Sequence, residues 1–226
     1  MREVLRARAC FGALACLAVL AGCTGLFRSD AKPEQTYVLR AAAAPAAAAG
    51  PQTATASAVP APALGSLQVA HPLTAPGLEG PHIILVQADH RMNFYLGSRW
   101  SGPVPDVVEA LTVDTLRSGG EWQSVEDSGS PFPADYLLQI SVRRFEADYT
   151  AGGGAPTVEV VLDCTLGGRA GLIASFVAQG SAAAAGDHMS QVVAAFGSAS
   201  DSALESLATQ TAAAARAAQA RGSMTR

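Results

Sequence analysis

Apolar and polar residues alternate along three consecutive segments in the second half of the chain, at positions 138–149, 157–166 and 172–178. Side chains of a strand point alternately to the two faces of a sheet, so this period predicts three strands that each bury one face. In the first segment the apolar phase moves by one position at Arg143 and Arg144, as a β-bulge would require. Glycine-rich turns separate the segments, and the whole pattern predicts an antiparallel meander.

Helical periodicity predicts a first helix over Val104–Leu116, where the apolar residues fall on one side. Pro105 suits the first turn, because a backbone N–H has no intrahelical acceptor there. Gly119 and Gly120 follow directly and are expected to end the helix.

A second and longer helix is predicted near the end of the chain. Its apolar residues keep one helical phase over 189–207, and Asp187 is the expected N-cap. Beyond Ala208 no large apolar side chain follows in phase. The helix is therefore expected to fray, and residues 211–226 to form a disordered tail.

Short runs of β-forming residues predict further strands at 36–40, 67–69, 82–87, 93–96 and 122–125. The run at 82–87 is almost continuously apolar, as in a strand that is covered on both faces. With the meander and the two helices, these runs predict an α+β fold. In this α/β two-layer domain an antiparallel or mixed sheet is covered by two helices, of which the C-terminal one is long.

The first residues have the layout of a secretory signal. Residues 1–8 are cationic, residues 9–19 are apolar and uncharged, and residues 20–23 read Leu-Ala-Gly-Cys. This last motif resembles the bacterial lipobox, in which the cysteine is acylated with chains such as palmitate and becomes the new N-terminus. The alternatives are an ordinary signal peptide with a chance cysteine or a short membrane helix, but a span takes about 20 apolar residues. Lipidation is therefore predicted at Cys23, and Thr24 after it favours the outer membrane by the same resemblance.

The chain divides into six parts by composition. They are a lipoprotein signal peptide (1–22), a lipidated tether (23–35), a first strand (36–40), an Ala/Pro-rich spacer (41–63), a folded domain (64–210) and the tail (211–226). The spacer cannot bury enough apolar area to offset the entropy lost on ordering, so it is predicted to be disordered or extended.

Charge and cysteine content narrow the function further. The signal peptide holds three of the 15 basic and one of the 19 acidic residues, which leaves a net charge of −6 on the mature chain. This balance argues against nucleic acid as a partner. Cys10 and Cys16 leave with the signal and Cys23 is acylated, so Cys164 has no cysteine to pair with. Cys164 shares the apolar phase of its strand and is predicted to be buried and inert.

Catalytic motifs are missing from the sequence. No nucleophile elbow, zinc-protease helix, paired-cysteine motif or phosphate-binding loop occurs, and the histidines are scattered. The sequence therefore predicts no catalytic residue, no metal site and no cofactor, and the protein is not expected to be an enzyme.

The segment 94–103 is the strongest candidate for a partner-binding site. It is predicted as a loop before the first helix, and Tyr95, Arg99 and Trp100 are residue types that dominate binding hot spots. The structural alternative is that Trp100 packs against the start of the helix as a hydrophobic staple while Tyr95 lies on the sheet.

Several of these features together resemble the family of ABC-type transport auxiliary lipoproteins, partners of MCE-type lipid transport systems. The resemblance is carried, in chain order, by the lipobox at Cys23, Tyr37-Val38-Leu39, Leu67-Gln68-Val69, the segment 93–103, the helix to Leu116, and the strand from Ala134 through Phe145. The spacer looks like an insertion after the first strand.

The family resemblance implies a periplasmic α/β domain at the outer membrane that supports lipid traffic between the two membranes. It implies an MCE-type periplasmic protein and an ABC permease/ATPase complex as partners, with homo-oligomerisation open, and no catalytic residue or cofactor. Two other functions stay open: a structural envelope lipoprotein that binds peptidoglycan or another outer-membrane assembly, and a periplasmic hydrolase with a dispersed site.

Overall fold

A computed structural model of the protein describes residues 33–42 and 64–224. The expected signal peptide, Cys23 and most of the spacer lie outside the described residues. The elements are β1 (Gln35–Tyr37), β2 (Leu64–Val69), β3 (Leu73–Thr74), β4 (His82–Val86), β5 (Met92–Trp100), α1 (Val104–Ser118), β6 (Trp122–Glu126), β7 (Tyr136–Asp148), β8 (Thr157–Gly168), β9 (Gly171–Ala183) and α2 (Met189–Met224). No helix among these residues is long and apolar enough to cross a membrane.

β7 is the central strand of a mixed sheet that contains all nine described strands. Along one edge it pairs antiparallel with β8, which pairs in turn with β9. Along its other edge β2, β3 and β4 pair with it in succession, all parallel. β6 extends the sheet from β2, whereas β5 and then β1 extend it from β4. The predicted α+β class and the predicted meander are both confirmed.

The predicted bulge in β7 is confirmed as well. The register between β7 and β8 shifts between Val142 and Arg144. Ile140 and Val142 before the shift, and Phe145 and Ala147 after it, are all buried. The extra residue keeps the apolar side chains of a long strand on one face of the sheet although their sequence parity changes.

Three aromatic rings meet in the core between the sheet and the helices. Trp100 of β5 packs edge-on against Phe145 of β7 and Phe196 of α2, with ring centroids 5.7 and 5.0 Å away. Phe145 and Phe196 are themselves 5.2 Å apart. All three side chains are fully buried, so this cluster joins the outer strand β5 to the centre of the domain.

The prediction of a disordered tail is wrong for residues 211–224, because α2 continues to Met224. Ala212 and Ala215 are buried in this part of the helix, as is Thr211, whose hydroxyl donates to the carbonyl of Leu207. Small side chains bury little apolar area each, which is why the sequence alone predicts a frayed end. They suffice here because the helix contacts the domain along most of its length.

A glycine of β9 allows α2 to approach the sheet very closely. A Cβ on Gly180 would overlap the carbonyl oxygen of Ala199 and lie 2.8 Å from the amide nitrogen of Ala203. At such a separation an alanine fills the space that a larger side chain fills elsewhere. The alanine-rich sequence of α2 is therefore the sequence that this packing needs.

Two predicted boundaries need correction. The first strand is Gln35–Tyr37 rather than 36–40, because it pairs with the last three residues of β5 and no described strand pairs with the residues after it. The N-cap position of α2 falls on His188 rather than Asp187, since the amides of Gln191 and Val192 both donate to the His188 carbonyl. The first helix is confirmed, with Pro105 in its first turn.

Substitution of Gly180 by alanine tests the close approach of α2. We expect Gly180→Ala to lower the free energy of unfolding by about 3 kcal/mol, because the new methyl group meets backbone atoms that cannot move independently. Urea unfolding of the folded domain measures the change.

Gly197→Ala is the matched control, since Gly197 lies inside α2 and a Cβ there meets nothing within 4 Å. It should raise the free energy of unfolding by up to about 1 kcal/mol through helix propensity. Similar effects of the two substitutions would contradict the proposed packing.

Candidate functional site

The segment predicted as a loop before the first helix is mostly a strand. β5 runs over Met92–Trp100, so the strand predicted at 93–96 is present but longer, and the loop predicted for 94–103 is wrong up to Trp100. The strand is longer than predicted because the alternation of apolar and polar residues is interrupted in its middle. Only residues 101–103 separate β5 from α1.

A wide bulge in β5 explains the interruption. Phe94 pairs with Ile84 of β4, whereas Arg99 pairs with His82. Residues 95–98 of β5 therefore lie opposite a single residue of β4, and the strand bends outwards there. Gly97 sits in this bulge with a φ of +69°, a left-handed conformation that glycine adopts without strain.

Trp100 lies in the core and does not reach the surface. Its ring packs between Phe145 and Phe196, and its indole nitrogen has no hydrogen-bond partner among the described residues. The side chain serves packing, although against β7 and α2 rather than as a staple at the start of α1. A partner would contact the residues around Trp100 and not its ring, which is fully buried.

Tyr95 lies on the sheet and is half-buried, as the structural alternative expected. Its hydroxyl is 2.8 Å from that of Tyr149, at the end of β7. Burial, with the hydrogen bond to Tyr149 and the negative charge of Asp187, raises the pKa of Tyr95 far above its usual value. The hydroxyl therefore stays protonated and ties β5 to the meander.

Arg99 joins β5 to the residue before β1. Its guanidinium lies 3.4 Å from the carboxylate of Glu34, and both side chains are partly exposed. Surface pairs of this kind contribute 0 to about 1 kcal/mol. That Tyr95 and Arg99 bind a partner stays a prediction, and the burial of Trp100 confines any role of its side chain there to supporting the residues around it.

Sequence reasoning missed a set of exposed apolar side chains on the same strand. Met92, Phe94 and Leu96 are between 46% and 86% exposed, and the ring of Phe94 stacks on His82 at 4.7 Å. All three share sequence parity, whereas Tyr95 between them is half-buried. That parity is the signal that could have placed them on the outer side of the strand.

A polar cluster lies elsewhere, where the loop after β2 meets α1. Glu109 accepts a hydrogen bond from the backbone N–H of Ser128 at 2.8 Å and lies 2.9 Å from Nδ1 of His71. Burial alone would raise the pKa of Glu109, but these hydrogen bonds outweigh it and the pKa is lowered. Asp106 lies 3.9 Å from the same His71 nitrogen. The cluster fastens two loops to α1.

Cys164 is buried as predicted. Burial, with a smaller contribution from the negative charge of Asp163, raises the pKa of its thiol to about 12. A buried thiol that stays protonated is a poor nucleophile. In the part of the chain that the structure describes, no three His, Cys, Asp or Glu side chains come close enough to hold a metal ion.

The fold defines a class of protein: a two-layer α+β domain. Its candidate binding residues lie at an edge of the sheet, on β5. The chain belongs to the family of ABC-type transport auxiliary lipoprotein components, whose family model matches residues 37–212.

Two solved structures are similar to the chain. Protein XCC0632 from Xanthomonas campestris, described as a DUF330 family member, is 23% identical with a TM-score of 0.67, over 82% of this chain and 99% of that one. A crystal structure of an uncharacterized protein is 15% identical with a TM-score of 0.56, over 82% and 98%. At these identities the likeness establishes the fold. No curated protein sequence matches the chain.

Replacing Trp100 tests its role in the core. We expect Trp100→Ala to lower the free energy of unfolding by about 4 kcal/mol, because it removes the ring at the centre of the aromatic cluster. Arg99→Ala, next to it in sequence, should cost less than about 1 kcal/mol, since its side chain is partly exposed. Thermal and urea unfolding of both variants measure the difference, and equal effects would contradict the burial of Trp100.

The Glu109 cluster predicts a pH-dependent contribution to stability. The lowered pKa means that Glu109 stabilises the fold above its ordinary pKa of 4.5, and that this contribution is lost as the pH falls through the lower folded value. Glu109→Gln should therefore cost about 2 kcal/mol at pH 7 and progressively less below pH ~4.5.

Asp106→Asn is the control for the same cluster, because Asp106 is more exposed and more distant from His71. It should change the free energy of unfolding by less than about 1 kcal/mol at pH 7. A cost of Glu109→Gln that does not vary with pH would contradict the assigned contacts.

Proposed function

We propose that the protein is a lipid-anchored, non-catalytic accessory subunit of an MCE-type ABC transporter. It is held by acylated Cys23 at the periplasmic face of the outer membrane, and it supports lipid transport between the inner and outer membranes. The observation that carries the proposal is the family match over residues 37–212 downstream of the Leu-Ala-Gly-Cys motif that ends at Cys23.

The chemistry of the anchor supports attachment at a membrane. A single acyl chain gives weak, reversible binding, whereas two or more chains on one cysteine hold a protein durably. Ten residues lie between Cys23 and Glu34, which makes eleven steps from one Cα atom to the next. A segment of that length spans at most about 40 Å when fully extended, so the domain stays near the bilayer.

The description of the family as an auxiliary component supports a role in assembly rather than in catalysis. Such a subunit acts through the surfaces that it presents to its partners. We propose an MCE-type periplasmic protein and the permease/ATPase complex as those partners, and Tyr95 and Arg99 as candidate contacts.

Deletion of the gene, followed by cross-linking with the restored protein, tests this function. Deletion should change outer-membrane lipid composition and raise detergent sensitivity, and cross-linking should recover an MCE protein. Unchanged lipids and sensitivity without a cross-linked MCE protein would overturn the proposal. Retention of the protein on purified peptidoglycan sacculi would instead support a structural envelope role.

The anchor itself is tested by substitution of its cysteine. Mass spectrometry of the N-terminal peptide of the mature protein should detect acyl groups on Cys23. Cys23→Ser should lose them and leave the outer-membrane fraction. Cys164→Ala should keep both the acyl groups and the location, because Cys164 is buried in the domain. Acylation that survives Cys23→Ser would contradict the assignment.

A further inference from the structure

The exposed apolar side chains of the domain are concentrated at one edge of the sheet. Nine large apolar residues are exposed among the described residues, and four of them lie on β5 or directly after β1. These four are Val38, Met92, Phe94 and Leu96. Leu96 is the most exposed of all nine, at 86%. Clustered apolar surface of this kind marks an interaction site more often than scattered residues do.

The bulge of β5 determines what kind of surface fits this edge. β1 pairs only with Ser98–Trp100, so the described strands leave the outer edge of residues 92–97 unpaired. An additional strand would find a regular ladder only at the start of β5, because the bulge and the left-handed Gly97 interrupt it. The bulge instead projects Leu96 away from the sheet. This shape suits an apolar medium better than another strand.

The chain reaches the domain beside this bulge. Gln35 pairs with Ser98 in parallel, and Glu34 lies against Arg99. Because β1 runs parallel to β5 and its first residue lies opposite Ser98, the chain enters β1 from the side of Leu96 and Gly97, the residues that precede Ser98 in β5. The segment that leads back to Cys23 therefore begins next to the exposed apolar residues. Its ten residues limit the distance to the bilayer, as described above.

We propose that the β5 bulge contacts the lipid bilayer that holds the anchor, with Leu96 inserted at the boundary between headgroups and acyl chains and with Phe94 and Met92 beside it. Transfer of these side chains from water into the interface is favourable, and the anchor keeps them close enough to insert. The inference rests on the acylation of Cys23 in the proposed function. It adds an orientation, in which the β5 edge faces the membrane and the far edge at β9 faces away.

A fluorescent probe on a single cysteine tests this orientation. Leu96→Cys in the full mature, acylated protein offers one accessible thiol, because Cys23 is acylated and Cys164 is buried with a raised thiol pKa. The protein is labelled with an environment-sensitive dye and reconstituted into phosphatidylethanolamine and phosphatidylglycerol vesicles that contain brominated acyl chains. Leu96 is so exposed that the substitution leaves the core intact.

Leu172→Cys is the matched control. Leu172 is also an exposed leucine, at 71%, but it lies at the start of β9, at the far edge of the sheet. The probe at position 96 should shift its emission to shorter wavelengths and be quenched by bromine. The probe at position 172 should show neither effect. Met92→Cys provides a second position, where a smaller shift of the same sign is expected.

The outcomes separate this inference from the proposed function. Protein that does not float with the vesicles overturns the acyl anchor and this inference together. Protein that floats, but whose probe at position 96 stays in water or behaves as at position 172, overturns this inference alone. A shift at position 96 that appears only at high surface density, or only after transporter membranes are added, indicates a second copy or a protein partner and likewise overturns it.

Discussion

The contact between Trp100, Phe145 and Phe196 is the interaction on which the arrangement of the domain depends. It joins an outer strand, the central strand and the long helix at one buried point. β5 pairs with β4 through an irregular register, and its other neighbour is only three residues long. Backbone pairing alone would hold such a strand weakly, so the buried indole fixes its position. The bulge and its exposed apolar side chains keep a defined place because the strand is fixed at its last residue.

Close packing of α2 on the meander is the second constraint. Gly180 lets the helix approach β9 closely at Ala199 and Ala203, and further along the helix Ala212 and Ala215 are buried as well. This packing covers one face of the sheet and leaves polar and charged residues on the other, such as the pairs Arg143–Asp163 and Arg144–Glu159. The domain is thus stabilised by burial on one side. Its other face and its edges are left to present surfaces to other molecules.

The sequence predicted those parts of the fold in which one face of an element is apolar and the period is unbroken. The meander, its bulge at Val142 to Arg144 and the first helix follow from such patterns, and so does the burial of Cys164. The predicted end of α2 was wrong because alanine carries little sequence signal, and the burial of Ala212 and Ala215 comes from contacts with residues distant in sequence. The strand β5 was mistaken in part for a loop because its bulge reverses the alternation midway. Long-range contacts decide both cases.

Long-range contacts also decide which residues of the candidate site reach the surface. Aromatic and arginine residues in 94–103 are of types common in binding sites, yet residue type does not tell which side of a bulged strand a side chain occupies. Trp100 lies inside and Tyr95 is tied to Tyr149, whereas Leu96, which no hot-spot composition favours, stands out at the surface. Side-chain direction on this strand follows from the register with β4 and from the conformation at Gly97.

The position of the proposed anchor gives that register a mechanical consequence. A pull on the tether from Cys23 acts first on β1 and on the Glu34–Arg99 pair, and then on the end of β5. A three-residue strand and an exposed ion pair resist little by themselves. Once they yield, tension passes along the covalent chain to β2, which pairs with β6 and with the central strand β7. An acyl anchor attached in this way holds the domain through β2, at the centre of the sheet, even where β1 separates from β5.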